Sequence, residues 1–301
     1  MLGNWRYGTL YRGLVGGSLN LAFGRFPKKI RIESTNHCNA KCITCPHPSQ
    51  TRKLGIMDMD FYEQVLEQCV REGARELHLH NFGEPLIDKS LPERIRKAKE
   101  VGIKKVKIIS NASLLDEKRS RPLIEAGLDE VKVSFDGLSP EVYEKVRVGL
   151  KYEVCARNLE RLVSLRDEMG SRTPRVEVLF VSIHENENEA PGFVERWKGV
   201  VDEVFVTRAH NWGGSDDVAS SDDPRQASGW PCQRLWNTFT ILWDGRVALC
   251  CLDYDGQEIL GDLRTQSIQE IWKGSRLKQI RQFHLAGKFD EIPICESCNA
   301  R

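Results

Sequence analysis

Short runs of alternating apolar and polar residues recur along the chain, separated by longer stretches with helical periodicity. Residues 29–33 (KIRIE), 76–80 (ELHLH), 105–109 (KVKII), 130–135 (EVKVSF), 175–181 (RVEVLFV) and 203–207 (EVFVT) read as strands. Residues 58–71, 91–100, 113–126, 140–146, 153–168 and 191–200 read as helices. Strands that alternate with helices predict a parallel sheet with βα crossovers. Six such units make an α/β chain with a partial (β/α)6 barrel, since eight would close a full one. Functional side chains are then expected at the C-terminal ends of the strands.

The texture changes after the sixth strand. Residues 213–229 (GGSDDVASSDDPRQASG) are rich in Ser, Asp and Gly, lack periodicity and read as a linker. Beyond it, 238–242 and 246–250 read as a hairpin around a two-residue turn, Asp244-Gly245. Residues 267–283 form an amphipathic helical pattern. The expected organisation is an N-terminal extension (1–28), the barrel (29–212), the linker (213–229) and a small C-terminal α+β domain of hairpin plus helix (230–301). No internal repeat is visible. The weakly apolar stretch 14–23 lacks a cleavage pattern and reads as a short helix rather than a signal peptide.

Composition narrows the function classes. Of 301 residues, 40% are hydrophobic and 29% charged, a globular balance. Lys plus Arg is 44 and Asp plus Glu is 43, which argues against broad binding to nucleic acid or an anionic membrane surface. No apolar run approaches the ~20 residues of a membrane span. The ten cysteines stand out. A large chain without an export signal is not a disulfide scaffold, and tight thiol clusters in a reducing cytoplasm point to metal.

Cys38, Cys42 and Cys45 form a C-x3-C-x2-C set in the loop after the first strand. Three thiolates are too few for a closed tetrahedral zinc site. They suit a cubane cluster that leaves one iron open, the alternative being zinc completed by His37 or His47. Phe82-Gly83-Glu84-Pro85 follows the second strand, Ser110-Asn111 the third and Ser134-Phe135-Asp136-Gly137 the fourth, with Arg147 a helix further on.

This pattern resembles the radical S-adenosylmethionine (SAM) superfamily. The resemblance implies that Cys38, Cys42 and Cys45 hold a [4Fe–4S] cluster whose open iron is chelated by SAM. One electron from the cluster then cleaves SAM to a 5′-deoxyadenosyl radical. It implies SAM-binding roles for Gly83 and Glu84 at the methionine amino group, and for Ser110, Asn111, Ser134, Asp136 and Arg147 at the ribose and carboxylate. It also implies an electron donor such as flavodoxin or ferredoxin. Two positions depart from the family pattern. Thr44 stands where an aromatic residue usually packs near the adenine, and Phe82 replaces a glycine.

Cys232, Cys250, Cys295 and Cys298, with the Trp243-Asp244-Gly245 hairpin between them, resemble the single-cluster C-terminal extension called SPASM or twitch. Their spacing is similar to that of 2-deoxy-scyllo-inosamine dehydrogenases. The resemblance implies one auxiliary [4Fe–4S] cluster with four thiolate ligands; spacing alone also allows a structural zinc. Cys69 and Cys155 read as buried thiols. Strand alternation would turn Cys251 away from Cys250 and toward the barrel mouth. There it could return a hydrogen atom to a substrate radical, as in the radical epimerases of aminoglycosides; the alternatives are a packed thiol or Cys251 itself as the ligand.

Arg208, His210, Asn211 and Trp212 follow the sixth strand, and Asp253 follows the cysteine pair; these are the candidate contacts for a small polar substrate. His78 and His80 share one face of the second strand, and the acidic run 184–189 reads as a solvated loop. The favoured function is dehydrogenation or epimerisation of a sugar or aminocyclitol. A peptide-modifying maturase is the alternative, disfavoured by the short stretch expected before the first strand. A zinc-binding scaffold is the non-enzymatic one.

Overall fold

The computed structural model describes residues 25–214 and 230–300. The helix expected at 14–23, most of the N-terminal extension and most of the linker lie outside the described residues.

Six parallel strands run in chain order across the sheet: β1 (Lys29–Ile32), β2 (Glu76–His78), β3 (Lys105–Ser110), β4 (Glu130–Ser134), β5 (Arg175–Ser182) and β6 (Glu203–Arg208). The crossovers carry α1 (Met59–Arg71), α2 (Leu91–Glu100), α3 (Glu117–Glu125), α4 (Pro140–Val146), α5 (Tyr152–Glu168) and α6 (Ala190–Trp197). Ile30, Ile32, Leu77, Val106, Ile108, Val131, Val133, Val176 and Val178 are fully buried in the main core. The other face of the strands is polar. Lys132 Nζ lies 3.0 Å from Glu177 and Lys107 3.5 Å from it, so β3, β4 and β5 share an ion network.

Local chemistry sets most boundaries. Asp58 caps α1 by accepting from Phe61 N–H, and Ser139 caps α4 by accepting from Val142 N–H. The helix expected from 113 starts four residues later. Asn111 Oδ1 accepts from the Ser113 amide and hydroxyl, which holds a turn, and Asp116 then caps α3.

The C-terminal part adds α7 (Arg234–Asn237), β7 (Thr238–Ile241), β8 (Arg246–Ala248), β9 (Ile259–Asp262), α8 (Ile268–Trp272), α9 (Ser275–Ala286) and α10 (Pro293–Glu296). β7 pairs parallel with β1, so this part extends the barrel sheet into one nine-stranded sheet; β8 and β9 continue it antiparallel. The partial barrel and the hairpin agree with expectation, but three details differ. The hairpin loop has three residues, because Leu242 N–H already bonds Arg246 O and Gly245 sits at φ +98°. The helix expected over 267–283 is two helices joined at Gly274, where a Cβ would meet Glu270 O at 2.8 Å. β8 stops at Ala248, so Cys250 and Cys251 lie in a turn rather than a strand.

Candidate functional site

The first thiol loop leaves β1 and folds over the C-terminal ends of the strands. Asn36 holds its base: the side chain donates to Gln50 Oε1 (3.0 Å) and Lys53 O (2.9 Å) and accepts from Gly55 N–H (2.8 Å). Further along, Lys41 N–H donates to Val148 O and Ile43 N–H to Val146 O, which ties the loop to the end of α4. Arg147 follows α4 directly. Its Nη1 donates to Cys42 Sγ (3.5 Å) and its Nη2 lies 2.5 Å from Asp136 Oδ2. Asp136 Oδ1 accepts from Val181 N–H (2.7 Å). Burial raises the Asp136 pKa, and the guanidinium of Arg147 opposes it.

Gly83 and Glu84 pack beneath the same loop. A Cβ on Gly83 would lie 2.8 Å from both Thr35 O and His37 O, and its φ of +109° also favours glycine. Glu84 N–H donates to His37 O (2.8 Å). The Glu84 carboxylate is buried and accepts from Asn111 N–H (2.8 Å), Ser110 Oγ (2.9 Å) and Leu86 N–H (3.2 Å). These donors only partly offset burial, which pushes its pKa up to about 7. Asn111 Nδ2 donates to Asn39 Oδ1 (2.9 Å), and Asn39 Nδ2 to Ser113 Oγ (2.8 Å), so the end of β3 grips the loop between Cys38 and Cys42. Ser134 ends β4 between Ser110 and Asp136 in the series of strand ends.

Burial pushes the Cys38 thiol up to about 11 and the Cys45 thiol up to about 12. Thiolates here need a cationic centre to replace lost hydration. Three desolvated thiols, one with an Arg donor on its sulfur, fit a thiolate-held iron–sulfur cluster. His47 Nε2 is engaged with Asn36 O at 2.7 Å, so that nitrogen is not a ligand.

The second thiol set closes on a cavity. Cys232, Cys250, Cys295 and Cys298 line it together with Leu235, Leu249, Leu252, Ile294, Gly213, Arg234 and His284. Leu252 N–H donates to Cys250 Sγ (3.4 Å) and Arg234 Nη1 to Cys232 Sγ (3.8 Å). Burial pushes the Cys250 thiol well up, with the neighbouring Cys251 adding to it. Among the described residues no three ligating side chains converge on a single metal ion, so four thiols around one apolar cavity, with donors on two sulfurs, suit a cluster rather than one ion.

Several expected contacts turn out differently. Cys251 does not line the cavity, and outside a strand it loses the alternation that aimed it at the barrel mouth. Asp253 is fully buried, and its two oxygens accept from Gln257 N–H (2.7 Å) and Glu258 N–H (3.0 Å), so it holds a turn instead of facing a substrate. Asn211 is spent on the C-terminal segment: Nδ2 donates to Ser297 O (2.7 Å), and Asn211 and Asn299 exchange amide-to-side-chain bonds (3.0 and 3.1 Å). Trp212 Nε1 donates to Thr44 O (2.8 Å), and its ring lies 5.4 Å from that of Phe82 and 4.4 Å from that of His210. Arg147 finds its carboxylate partner within the chain. Arg208 is exposed at the end of β6, and His210 is half-buried. The acidic run is ordered in part: Asn186 is buried and donates to Asp136 O, and Glu189 accepts from Leu138 N–H.

Asn36, Asn39 and Asn186 escaped the sequence reading. The one available signal for the first two was amide side chains crowding a cysteine loop.

The chain matches the family model "Radical SAM superfamily" over residues 32–194 and the model "Iron-sulfur cluster-binding domain" (SPASM) over residues 232–299. It is 32% identical over 174 residues to a probable GTP 3′,8-cyclase of Methanococcus maripaludis, covering 58% of this chain and 56% of that one. The chain thus spans about half the length of the curated relatives it matches. Among solved structures it is similar to BtrN in complex with AdoMet and 2-DOIA (TM-score 0.66, 20% identity, 91% of this chain and 94% of that one). It is also similar to SuiB of Streptococcus suis bound to the precursor peptide SuiA (TM-score 0.75, 12% identity, 96% and 81%). At these identities the likeness shows the fold alone. Together, the strand-end constellation, the two thiol sets and the two family models make this chain a radical SAM superfamily enzyme with a C-terminal SPASM-type iron–sulfur domain.

Proposed function

We propose that the chain is a radical SAM dehydrogenase of a small hydroxylated or amino-hydroxylated ring compound, with two [4Fe–4S] clusters. In this reading Cys38, Cys42 and Cys45 hold the SAM-binding cluster, and Cys232, Cys250, Cys295 and Cys298 hold one auxiliary cluster. The observation that carries the reading is the lining of one cavity by those four thiols, with the other three in a separate loop.

When bound, the clusters and SAM supply removal of a carbon-bound hydrogen atom and acceptance of one electron. The chain supplies binding and orientation. Glu84, a buried carboxylate held by neutral donors, would accept from the SAM ammonium, whose charge favours the ionised form. Gly83 lets the Glu84 segment approach the thiol loop closely. Ser134 would face the ribose side, on strand ends whose shape Ser110, Asn111 and Asp136 hold through their bonds to Glu84, Asn39, Ser113 and Arg147. Arg147 holds Asp136 and donates to Cys42, so the same guanidinium orients both. Arg208 and His210 are the proposed substrate contacts.

Dehydrogenation is favoured over epimerisation because the premise that turned Cys251 toward the barrel is gone. A cytoplasmic location and a flavodoxin or ferredoxin donor follow from the reducing conditions that two clusters need. The test is anaerobic turnover of the reconstituted enzyme with aminocyclitols, sugars and, because of the curated relatives, GTP. Each reaction is read for 5′-deoxyadenosine and for product. A ketone formed from a ring alcohol supports the reading. A solvent-deuterated epimer, a cyclised nucleotide or no SAM cleavage at all contradicts it.

A further inference from the structure

The segment after β6 touches both thiol sites. At one end, Asn211 and Asn299 exchange two hydrogen bonds, and Asn211 Nδ2 reaches Ser297 O, on either side of Cys298. At the other end, Trp212 Nε1 bonds the carbonyl of Thr44, next to Cys45. Between them, Trp212 is held at φ +46°, a left-handed conformation that a bulky residue adopts only under constraint. Gly213 lines the cavity of the four thiols, and a Cβ there would overlap Ile294 Cγ1 at 2.6 Å. Two adjacent residues therefore bond two cysteine loops that are remote in sequence, and the strained one is tied at both ends.

We propose that residues 211–214 form a strap that couples the two sites, with Asn211 and Trp212 as positioning residues. An ordered 293–299 segment holds Asn211; Asn211 holds Trp212 in its strained backbone; Trp212 then fixes the Thr44 carbonyl and with it the Cys42–Cys45 turn. Release at either end lets Trp212 relax to an ordinary conformation and frees the thiol loop to move. Coupling of this kind is reciprocal: whatever order at the C-terminal site adds to SAM affinity, SAM returns to the C-terminal site. The proposal rests on the assignment of the first site to SAM.

The test uses the reconstituted full-length enzyme under anaerobic conditions. SAM affinity is measured by equilibrium dialysis for wild type, N211A, W212F and the double variant. W212F keeps the ring and removes the Nε1 bond to Thr44. Each single variant should weaken SAM binding at least ~5-fold, the lower end of typical coupling. The double variant should match the worse single rather than multiply the two losses, because both cut one strap. Hydrogen exchange supplies a readout that a purely structural role would not move. SAM should slow exchange in residues 293–300 of wild type and leave it unchanged in W212F. Unchanged affinity in both singles, or multiplying losses with no SAM effect on 293–300, overturns the strap alone. A wild type that binds no SAM overturns both the strap and the assignment beneath it.

Discussion

The two thiol sites are built on opposite principles. The loop of Cys38, Cys42 and Cys45 sits over strand ends among buried polar groups: Glu84, Asp136, Arg147, Ser110 and Asn111. The cavity of Cys232, Cys250, Cys295 and Cys298 is walled mainly by Leu and Ile. In the proposed reading, three thiols surrounded by partly compensated charge make a site that takes a further ligand. Four thiols in an apolar wall make, in the same reading, one that is complete with a cluster bound. The difference teaches that the polar or apolar surroundings, more than the sulfur count, set the two sites apart.

Substitutions at the polar site should therefore be costly or oddly beneficial, and those of Asp253 and Cys251, beside the apolar site, purely structural. The largest effect is expected for R147M, which leaves Asp136 buried beside an uncharged chain. Loss of one partner of a buried pair costs about 3–5 kcal/mol, readable by urea denaturation at pH 7. A cost under about 1 kcal/mol would mean that Asp136 is protonated and the pair is not ionic.

Next in size is E84Q, with the opposite sign in SAM-free protein. The folded pKa of Glu84 is raised to about 7 from an ordinary value of 4.5. The native state therefore keeps a proton that the unfolded chain releases. Stability from this group is full below pH 4.5 and is lost as pH rises through 7, by roughly 3 kcal/mol. The difference in stability between wild type and E84Q should thus shift in favour of E84Q over that window, while E84Q loses SAM binding. An E84Q variant that tracks wild type across this range would remove Glu84 as the compensated ammonium acceptor.

D253A should cost about 1–3 kcal/mol through two orphaned amides, those of Gln257 and Glu258, with no change in substrate KM. A raised KM at unchanged stability would restore Asp253 to the substrate site. The smallest effect is expected for C251A: under about 1 kcal/mol, with unchanged product stereochemistry by NMR. Loss of turnover with retained SAM cleavage would revive Cys251 as a hydrogen donor.

What the sequence disclosed, and what it hid, follows the same division. Motifs whose members are close in sequence were readable: the three-thiol loop, Gly83-Glu84 and Ser110-Asn111 all depend on local chemistry. The four distant thiols were readable because residue type and spacing alone narrow their use. The fate of single polar residues was not. Asn211 and Asp253 look like exposed contacts, yet Asn211 is claimed by Asn299, 88 positions away, and Asp253 by the amides of its own buried turn. Cys251 was misjudged because β8 ends at Ala248 without a Gly or Pro to mark it. β7 was legible as a strand, but nothing local announces that its partner is β1.

The most direct test of the two-site account is iron and sulfide content with Mössbauer spectra of anaerobically reconstituted wild type and the C38A/C42A/C45A variant. The account predicts about eight irons in wild type and about four in the variant, the residue being a cubane held by the C-terminal thiols. A variant with no iron and one equivalent of zinc would contradict it: the closed cavity would then be a structural zinc site, and electron acceptance there would be excluded.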